Sequence, residues 1–262
     1  MAALRQPIRL VTFDALYTTI VPRLPIHVQY SHVFRPYLGV LDQGSLKQSF
    51  RVAFQSLERE NPAYGKGSRT WWSEVIKRTA LGAGADEKAI DAFLPQIVSR
   101  LLDRFSSKEG YRAFDDAITV VNSLHKLNIQ TAVISNADSR IRSVLRDLEF
   151  PVFLDPIILS EEEGVEKPSP EIYRRALAVV NSRNPQNPVV PAQCLHVGDE
   201  LDADYHGAQA AGMNALLLQR SGADGEQAHR ISRELKGNVT VIKDLRAVLP
   251  WVTAHNSTSS TF

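Results

Sequence analysis

Residues Ile8–Phe13 are an apolar run, IRLVTF broken only by Arg9 and Thr12, and the run stops at a single acid, Asp14. A stretch this short and this rich in β-branched and aromatic residues reads as a buried strand rather than a helix. Asp14 then sits at the carboxyl end of that strand, the edge at which open α/β sheets bind ligands. The residues that follow, Ala15-Leu16-Tyr17-Thr18-Thr19, are small or hydroxylated and suit a tight turn with exposed backbone amides. From this stretch alone, an Asp that merely caps the next element is an equal reading.

The same pattern recurs downstream. Gln130–Ser135, Phe153–Leu159, Gln193–Val197, Asn214–Leu218 and Val239–Ile242 read as further short strands, separated by helical patterns over Ala117–Leu127, Ser139–Leu148, Pro170–Asn181, Ala203–Ala211 and Leu245–Val252. Strands alternating with helices imply right-handed βαβ units, hence an α/β fold with a Rossmann-like, doubly wound parallel sheet. Residues 22–109 are different: they hold four helical patterns, Ile26–Leu38, Ser45–Glu60, Ser68–Ala80 and Asp86–Phe105, and no convincing strand. They are expected to form a helical cap inserted after the first strand, positioned over the carboxyl edge as a lid. The expected organisation is therefore a core of residues 1–21 and 110–250, a cap of residues 22–109, and a tail of residues 251–262 that lacks a core-forming pattern and should be disordered.

Bulk properties narrow the function. A formal net charge of +1 gives no global field to draw the chain to nucleic acid or an anionic membrane. The one cysteine, Cys194, rules out an internal disulfide, suits a reducing compartment and reads as a small core residue. No apolar stretch approaches the roughly 20 residues of a membrane span, and MAALRQPIRL has no apolar core of a signal peptide. The expected location is cytoplasmic, with the nucleus within passive reach, and neither a monomer nor a homodimer is excluded.

Separate strand ends carry chemically useful side chains: Asp14 and Thr18 from the first, Ser135 and Asn136 from the second, and Asp199, Glu200, Asp202 and Asp204 after the fourth, with Lys167 on a loop. A parallel sheet gathers such ends at one edge. Carboxylates, a lysine and a serine together suggest a site for Mg2+ and phosphate, since Mg2+ takes hard oxygen ligands, commonly one or two carboxylates, waters and a substrate phosphate. Each residue alone has a plainer reading: a solvated loop lysine, a Ser-Asn turn, acids at a helix start. Their order and spacing together favour the site.

With these segments quoted, the chain resembles the haloacid dehalogenase (HAD) superfamily of hydrolases in its form with a helical cap after the first strand. VTFDALYTT resembles the first motif of that family, TAVISNAD the second, the lysine of GVEKPSPEIY the third, and HVGDELDADYHGAQAAGM the fourth. The resemblance implies that Asp14 is a nucleophile forming an aspartyl-phosphate. It also implies that Asp14, the backbone carbonyl of Leu16 and Asp199 hold Mg2+, and that Asp204 binds the metal through water or orients Lys167. Ser135, Asn136 and Lys167 would hold the transferring phosphoryl group, with Thr18 also at the substrate, so that a small phosphorylated metabolite is the implied partner.

One position departs from the pattern. Phosphatases of this family carry a second Asp two residues after the nucleophile, which protonates the leaving group and activates water; here that residue is Leu16. Losing such a group costs about 10²–10⁴-fold, and Tyr17, with an ordinary pKa of about 10, has the wrong spacing to replace it. Three readings stay open: a hydrolase for good leaving groups such as acyl or aryl phosphates, a metal-free dehalogenase-like enzyme, and a binding or regulatory protein with weak or no turnover. The retained Asp199 argues for a metal and against the second. Specificity is expected from the cap, with Arg23, His27, Tyr30, Lys66, Trp71 and Trp72 as candidates, although packing between cap helices is the favoured role for at least one tryptophan. His196, inside the fourth strand, reads as a core residue or one supporting the site.

Overall fold

In the computed structural model, which describes residues 6–65, 67–221 and 238–259, Leu10–Phe13 is the third strand of a six-stranded sheet and every one of its residues is fully buried. The elements in chain order are β1 (Leu10–Phe13), β2 (Ile20–Pro22), α1 (Ile26–Leu38), α2 (Gln43–Glu60), α3 (Ser68–Gly82), α4 (Glu87–Arg104), β3 (Tyr111–Ala113) and α5 (Ala117–Lys126). They continue with β4 (Gln130–Ser135), α6 (Arg140–Asp147), β5 (Leu154–Leu159), α7 (Ser160–Glu163), α8 (Pro170–Arg183) and β6 (Cys194–Gly198). The last are α9 (Gly207–Ala210), β7 (Asn214–Leu218), β8 (Val241–Ile242) and α10 (Val248–Ser259). The chain divides into two compact units, one of residues 1–21, 113–136 and 149–262, the other of residues 22–112 and 137–148.

The first unit contains the sheet, ordered β5-β4-β1-β6-β7-β8 with every pairing parallel. Strand order steps outward from β1 in both directions, the arrangement expected of a doubly wound, Rossmann-like sheet. The register sets Leu10 opposite both Gln130 and Cys194, so β1, β4 and β6 end at a common level. On one face Leu10, Ala132 and Ile134 pack against Ile172, Tyr173 and Ala176 of α8. Buried Val120, Val121 and Leu124 of α5 pack on β4, and α10 packs on α5. Strands covered by helices bury both faces, which is why β1 and β6 read as nearly continuous apolar runs.

The second unit is built around two apolar clusters. Tyr30, Phe34, Leu46, Ile76, Ile90 and Ile97 join α1 to α4 in one, and Ala53, Leu57, Trp71 and Val75 form the other between α2 and α3. Sequence spacing placed these helices within a few residues, but not their caps. The start of α2 is capped by Asp42, whose carboxylate accepts from the Ser45 N–H at 2.7 Å, so the helix begins two residues before the expected Ser45. Gly67, not Ser68, precedes α3. The three-residue strands β2 and β3 pair with each other and were too short to show a period. The unit also takes in α6: the Trp72 indole donates to Asp138 at 2.7 Å and the Arg140 guanidinium lies over the Trp72 ring at 4.8 Å. Such a contact across 66 positions leaves no local signature.

Residues expected to be a disordered tail are instead helical as far as Ser259. Val252 is buried, and the Asn256 amide meets both backbone groups of Ile8, its Oδ1 accepting from the Ile8 N–H at 2.7 Å and its Nδ2 donating to the Ile8 carbonyl at 3.1 Å. His255 donates to the Gln6 carbonyl at 3.0 Å and stacks on Trp251. The polar letters that suggested disorder satisfy main-chain groups just upstream of β1. Among the described residues no helix is long and apolar enough to cross a membrane.

Asn256→Ala strips the buried Ile8 N–H of its acceptor and should lower stability by about 1–3 kcal/mol, measured by urea unfolding. An unchanged midpoint would mean that residues 254–259 do not hold the entry to β1.

Candidate active site

Asp14 lies one residue beyond β1, and its N–H donates to the Val197 carbonyl at 2.9 Å, which continues the β1–β6 ladder to the edge of the sheet. The turn after it is tightly wound. The Ala15 carbonyl accepts from the N–H groups of Thr19 and Ile20, both at 2.9 Å, and from the Thr19 hydroxyl at 3.1 Å. Tyr17 takes a left-handed conformation with φ 62°, uncommon for a bulky residue and sustained only where neighbours hold it. The Leu16 carbonyl receives no hydrogen bond from the described residues.

Lys167 is the hub. Its buried ammonium donates to Asp14 Oδ1 at 2.7 Å, to Asp204 Oδ1 at 2.6 Å and to the Ile134 carbonyl at 2.9 Å, using all three of its protons. The lysine is held by Asn136, whose Oδ1 accepts from the Lys167 N–H at 2.7 Å and whose Nδ2 donates to the Lys167 carbonyl at 2.9 Å. Asn136 was expected to touch the phosphoryl group, but the structure commits its side chain to placing Lys167. The Ser135 hydroxyl, at the end of β4, has no hydrogen-bond partner among the described residues and is available to a ligand.

Asp204 is placed by a wide helical turn over Leu201–His206 in which the N–H groups of both Asp204 and Tyr205 donate to the Glu200 carbonyl. Such π turns mark functional sites in many proteins. Its Oδ2 accepts from the Glu200 N–H at 2.9 Å, and its Oδ1 is 3.1 Å from His196 Nε2. A carboxylate that is ionised can only accept, so His196 carries its proton on Nε2 and its Nδ1 accepts from the Thr12 hydroxyl at 2.8 Å. Burial lowers the His196 pKa and keeps the ring neutral. The carboxyl group of Asp204 lies against Gly198, where an added Cβ would come within 2.2 Å of its Cγ, so that position admits only glycine.

Asp199 follows Gly198 directly, and its Oδ1 accepts from the Thr18 hydroxyl at 3.2 Å. Thr18 was expected at the substrate; its hydroxyl is spent on Asp199. Oxygens of Asp14, Asp199 and Asp204 all lie within 4.8 Å of one another. Three carboxylates against one ammonium and a neutral imidazole leave a buried excess of two negative charges. The ionisation equilibria reflect it. Burial, opposed by Lys167 and reinforced by Asp204, pushes Asp14 up to about 6. Asp204 is held well below the usual carboxylate range, because Lys167 and His196 outweigh its burial. Lys167 stays charged because Asp14 and Asp204 outweigh the burial that would discharge it.

A divalent cation fits this donor set: hard oxygens, an excess of two charges to match, and a carbonyl at Leu16, two residues after Asp14, that no hydrogen bond from the described residues occupies. Asp14, Asp199 and the Leu16 carbonyl are the residues that would hold it. Asp204, whose oxygens already accept three hydrogen bonds, is placed to orient Lys167 and to reach a metal through water.

The cap candidates fare differently. Trp71 is buried inside the second unit among Phe54, Tyr64 and Trp72, its indole donating to the Asn61 carbonyl at 3.1 Å, which makes it a packing residue. Tyr30 is likewise buried there. Arg23 donates to the Lys108 carbonyl at 2.6 Å on an exposed surface, and Lys66 lies outside the described residues. Sequence reasoning passed over Thr12, although a signal existed: Thr12 and His196 are polar residues in two apolar strands that fall opposite each other in register.

Comparison with known proteins gives the family. A profile of haloacid dehalogenase-like hydrolases matches residues 11–212. The chain is 32% identical over 221 residues to haloacid dehalogenase-like hydrolase domain-containing protein 3 of Mus musculus, spanning 83% of this chain and 84% of that one. RLVTFDALYTT, the Trp71-Trp72 pair and GDELDADYHGAQAAGM point to the same branch. In fold it resembles the HAD-hydrolase YfnB of Bacillus subtilis in a magnesium-bound crystal structure, with a TM-score of 0.66 at 18% identity, covering 95% of this chain and 100% of that one. It also resembles the 2-haloacid dehalogenase of Pseudomonas syringae pv. tomato, with a TM-score of 0.62 at 22% identity, covering 94% and 98%. By its strand-end residues, its sheet and these likenesses, the chain belongs to the haloacid dehalogenase-like hydrolase family.

Proposed function

We propose that this hydrolase is a Mg2+-dependent phosphatase that works through an aspartyl-phosphate on Asp14, acting in the cytoplasm on a small phosphorylated metabolite whose leaving group needs no protonation. The observation that carries the reading is the Lys167 ammonium bridging Asp14 and Asp204 beside Asp199, a buried site short of two positive charges. Bound Mg2+ would supply charge neutralisation for the nucleophile and the phosphate together. A dehalogenase releases halide and needs no cation, so the same charge excess speaks against that reading.

In the first step an Asp14 carboxylate oxygen attacks phosphorus and the leaving group departs with the bonding electrons. Lys167 keeps Asp14 in place and draws charge from the phosphoryl oxygens, and the Ser135 hydroxyl donates to one of them. Positioning and charge stabilisation of this kind carry most phosphoryl transfers. In the second step water attacks the phosphorus of the aspartyl-phosphate, releasing phosphate and restoring Asp14. The protons of that water leave on the released phosphate, and Leu16 offers no carboxylate to take one on the way. Asp204 is tied to Lys167, His196 and the Glu200 N–H. The second step is therefore the slow one when the leaving group is good.

Mg2+-dependent phosphate release from acetyl phosphate and p-nitrophenyl phosphate tests the reading. Asp14→Asn should abolish it, and chelation should do the same. Leu16→Asp should raise turnover by about 10²–10⁴-fold. Wild-type turnover that survives Asp14→Asn sinks the assignment of the nucleophile. A wild type that is inert, with Leu16→Asp active, would instead support a protein that keeps the pocket for binding.

Intact-mass spectrometry of wild-type protein quenched during acetyl phosphate turnover should show a phosphorylated fraction that Leu16→Asp depletes. Absence of that species in both would argue that water attacks the substrate directly.

A further inference from the structure

Arg220 follows β7 at the same edge of the sheet as Asp14. Its guanidinium grips the Asp116 carboxylate with two hydrogen bonds of 2.9 and 2.8 Å, and the nitrogen making the second also donates to the Thr18 carbonyl at 2.9 Å. The Phe114 ring lies against the guanidinium at 3.7 Å. Asp116 is fixed in turn by the Leu245 N–H at 2.8 Å, and the Phe114 N–H donates to the Thr19 carbonyl at 3.0 Å. The pair is buried, with side-chain exposures of 10% for Arg220 and 3% for Asp116. Neither residue belongs to a motif of the site.

The arrangement does something that the site cannot do for itself. The turn Ala15–Ile20 contains a left-handed tyrosine and leaves the Leu16 carbonyl without a hydrogen bond from the described residues, while its Thr18 hydroxyl reaches Asp199. Its internal backbone hydrogen bonds end on the Ala15 and Ile20 carbonyls and leave the Thr18 carbonyl to an outside donor. Arg220 supplies that donor from a planar fork whose other edge is locked to a carboxylate, so the donor's place is set to within hydrogen-bond tolerance. A lysine there lacks the planar fork that holds both carboxylate oxygens and the carbonyl at fixed places.

We propose that the Arg220–Asp116 pair is a positioning device for the candidate active site, holding the turn Ala15–Ile20 in the conformation that offers the Leu16 carbonyl and steadies Asp199. Its link to Mg2+ rests on the proposed phosphatase reading; its hold on the turn does not. Arg220 touches neither substrate nor the reacting carboxylate and acts only through the backbone of Thr18.

Hydrogen exchange read by mass spectrometry on peptides covering residues 14–21, beside a calorimetric titration with Mg2+, tests the proposal on Arg220→Gln, Asp116→Asn and Arg220→Lys. Arg183→Gln, which breaks an exposed pair with Asp155, is the control. At a temperature where each variant remains folded, Arg220→Gln and Asp116→Asn should speed exchange in the turn by about tenfold, the loss expected for one hydrogen bond to a charged group. The Mg2+ dissociation constant should rise by a similar factor, with excess Mg2+ restoring turnover, and Arg220→Lys should fall between wild type and Arg220→Gln. The control should change neither. Unchanged exchange in the turn overturns the proposal, as does a rise spread evenly over the whole sheet, which would mark the pair as a general staple. If exchange rises in the turn alone while wild-type protein binds no Mg2+, the positioning stands and the phosphatase reading fails. Should Arg220→Gln not fold, Arg220→Lys and Asp116→Asn carry the same comparison.

Discussion

A single ammonium group, that of Lys167, is buried against two carboxylates and a carbonyl. Taking three charges out of water costs several kcal/mol per ion unless hydrogen bonds satisfy nearly every proton and lone pair. Much of the surrounding structure answers that demand. Asn136 fixes the lysine's backbone, the wide turn after β6 brings Asp204 back toward Gly198, and His196 with Thr12 shares the load on Asp204 from below. The lysine's loop, two strand ends and the turn after β6 have to be correct together, since an error in any of them strands a buried charge.

Much of this was legible in the sequence, and the limits have physical causes. The parallel sheet could be read because strands buried on both faces are nearly all apolar, and because Asp14, Ser135 and Gly198-Asp199 each interrupt a run at its end. The helices of the insertion followed from periodicity. The start of α2 was placed two residues late, since the capping Asp42 lies before the apolar periodicity begins. The assignment of α6 to the second unit and the helicity of residues 254–259 depended on contacts with partners far along the chain, between Trp72 and Asp138 and between Asn256 and Ile8. At the site, residue identities were legible but their duties were not. Thr18 and Asn136 looked like ligands of a phosphate, and their side chains serve Asp199 and Lys167 instead. Asp116 and Arg220, which carry no motif, were invisible.

Leu16 divides the chemistry of this chain from its architecture. The carbonyl of that residue is a backbone feature that any side chain would provide, whereas the carboxyl that phosphatases of the family carry at this position would be a proton carrier. On the proposed phosphatase reading the site is furnished for binding charge and for the departure of a stable anion, and poorly furnished for moving protons. Whether such a site turns over quickly depends on the substrate's own acidity more than on the protein.

The link between Asn256 and Ile8 also bears on how the chain is made. β1 is the middle of the sheet, yet its neighbours β4 and β6 begin at Gln130 and Cys194, and the group that satisfies the Ile8 backbone appears only at Asn256. During synthesis from the amino end, the stretch bearing Asp14 leaves the ribosome before β4, β6 and Asn256, and waits for these partners. The inserted helices, whose contacts are mostly local, can fold while it waits. The apolar run around Asp14 is therefore the segment of the nascent protein most in need of shelter, and a ribosome stalled before residue 256 would leave its first strand unfinished.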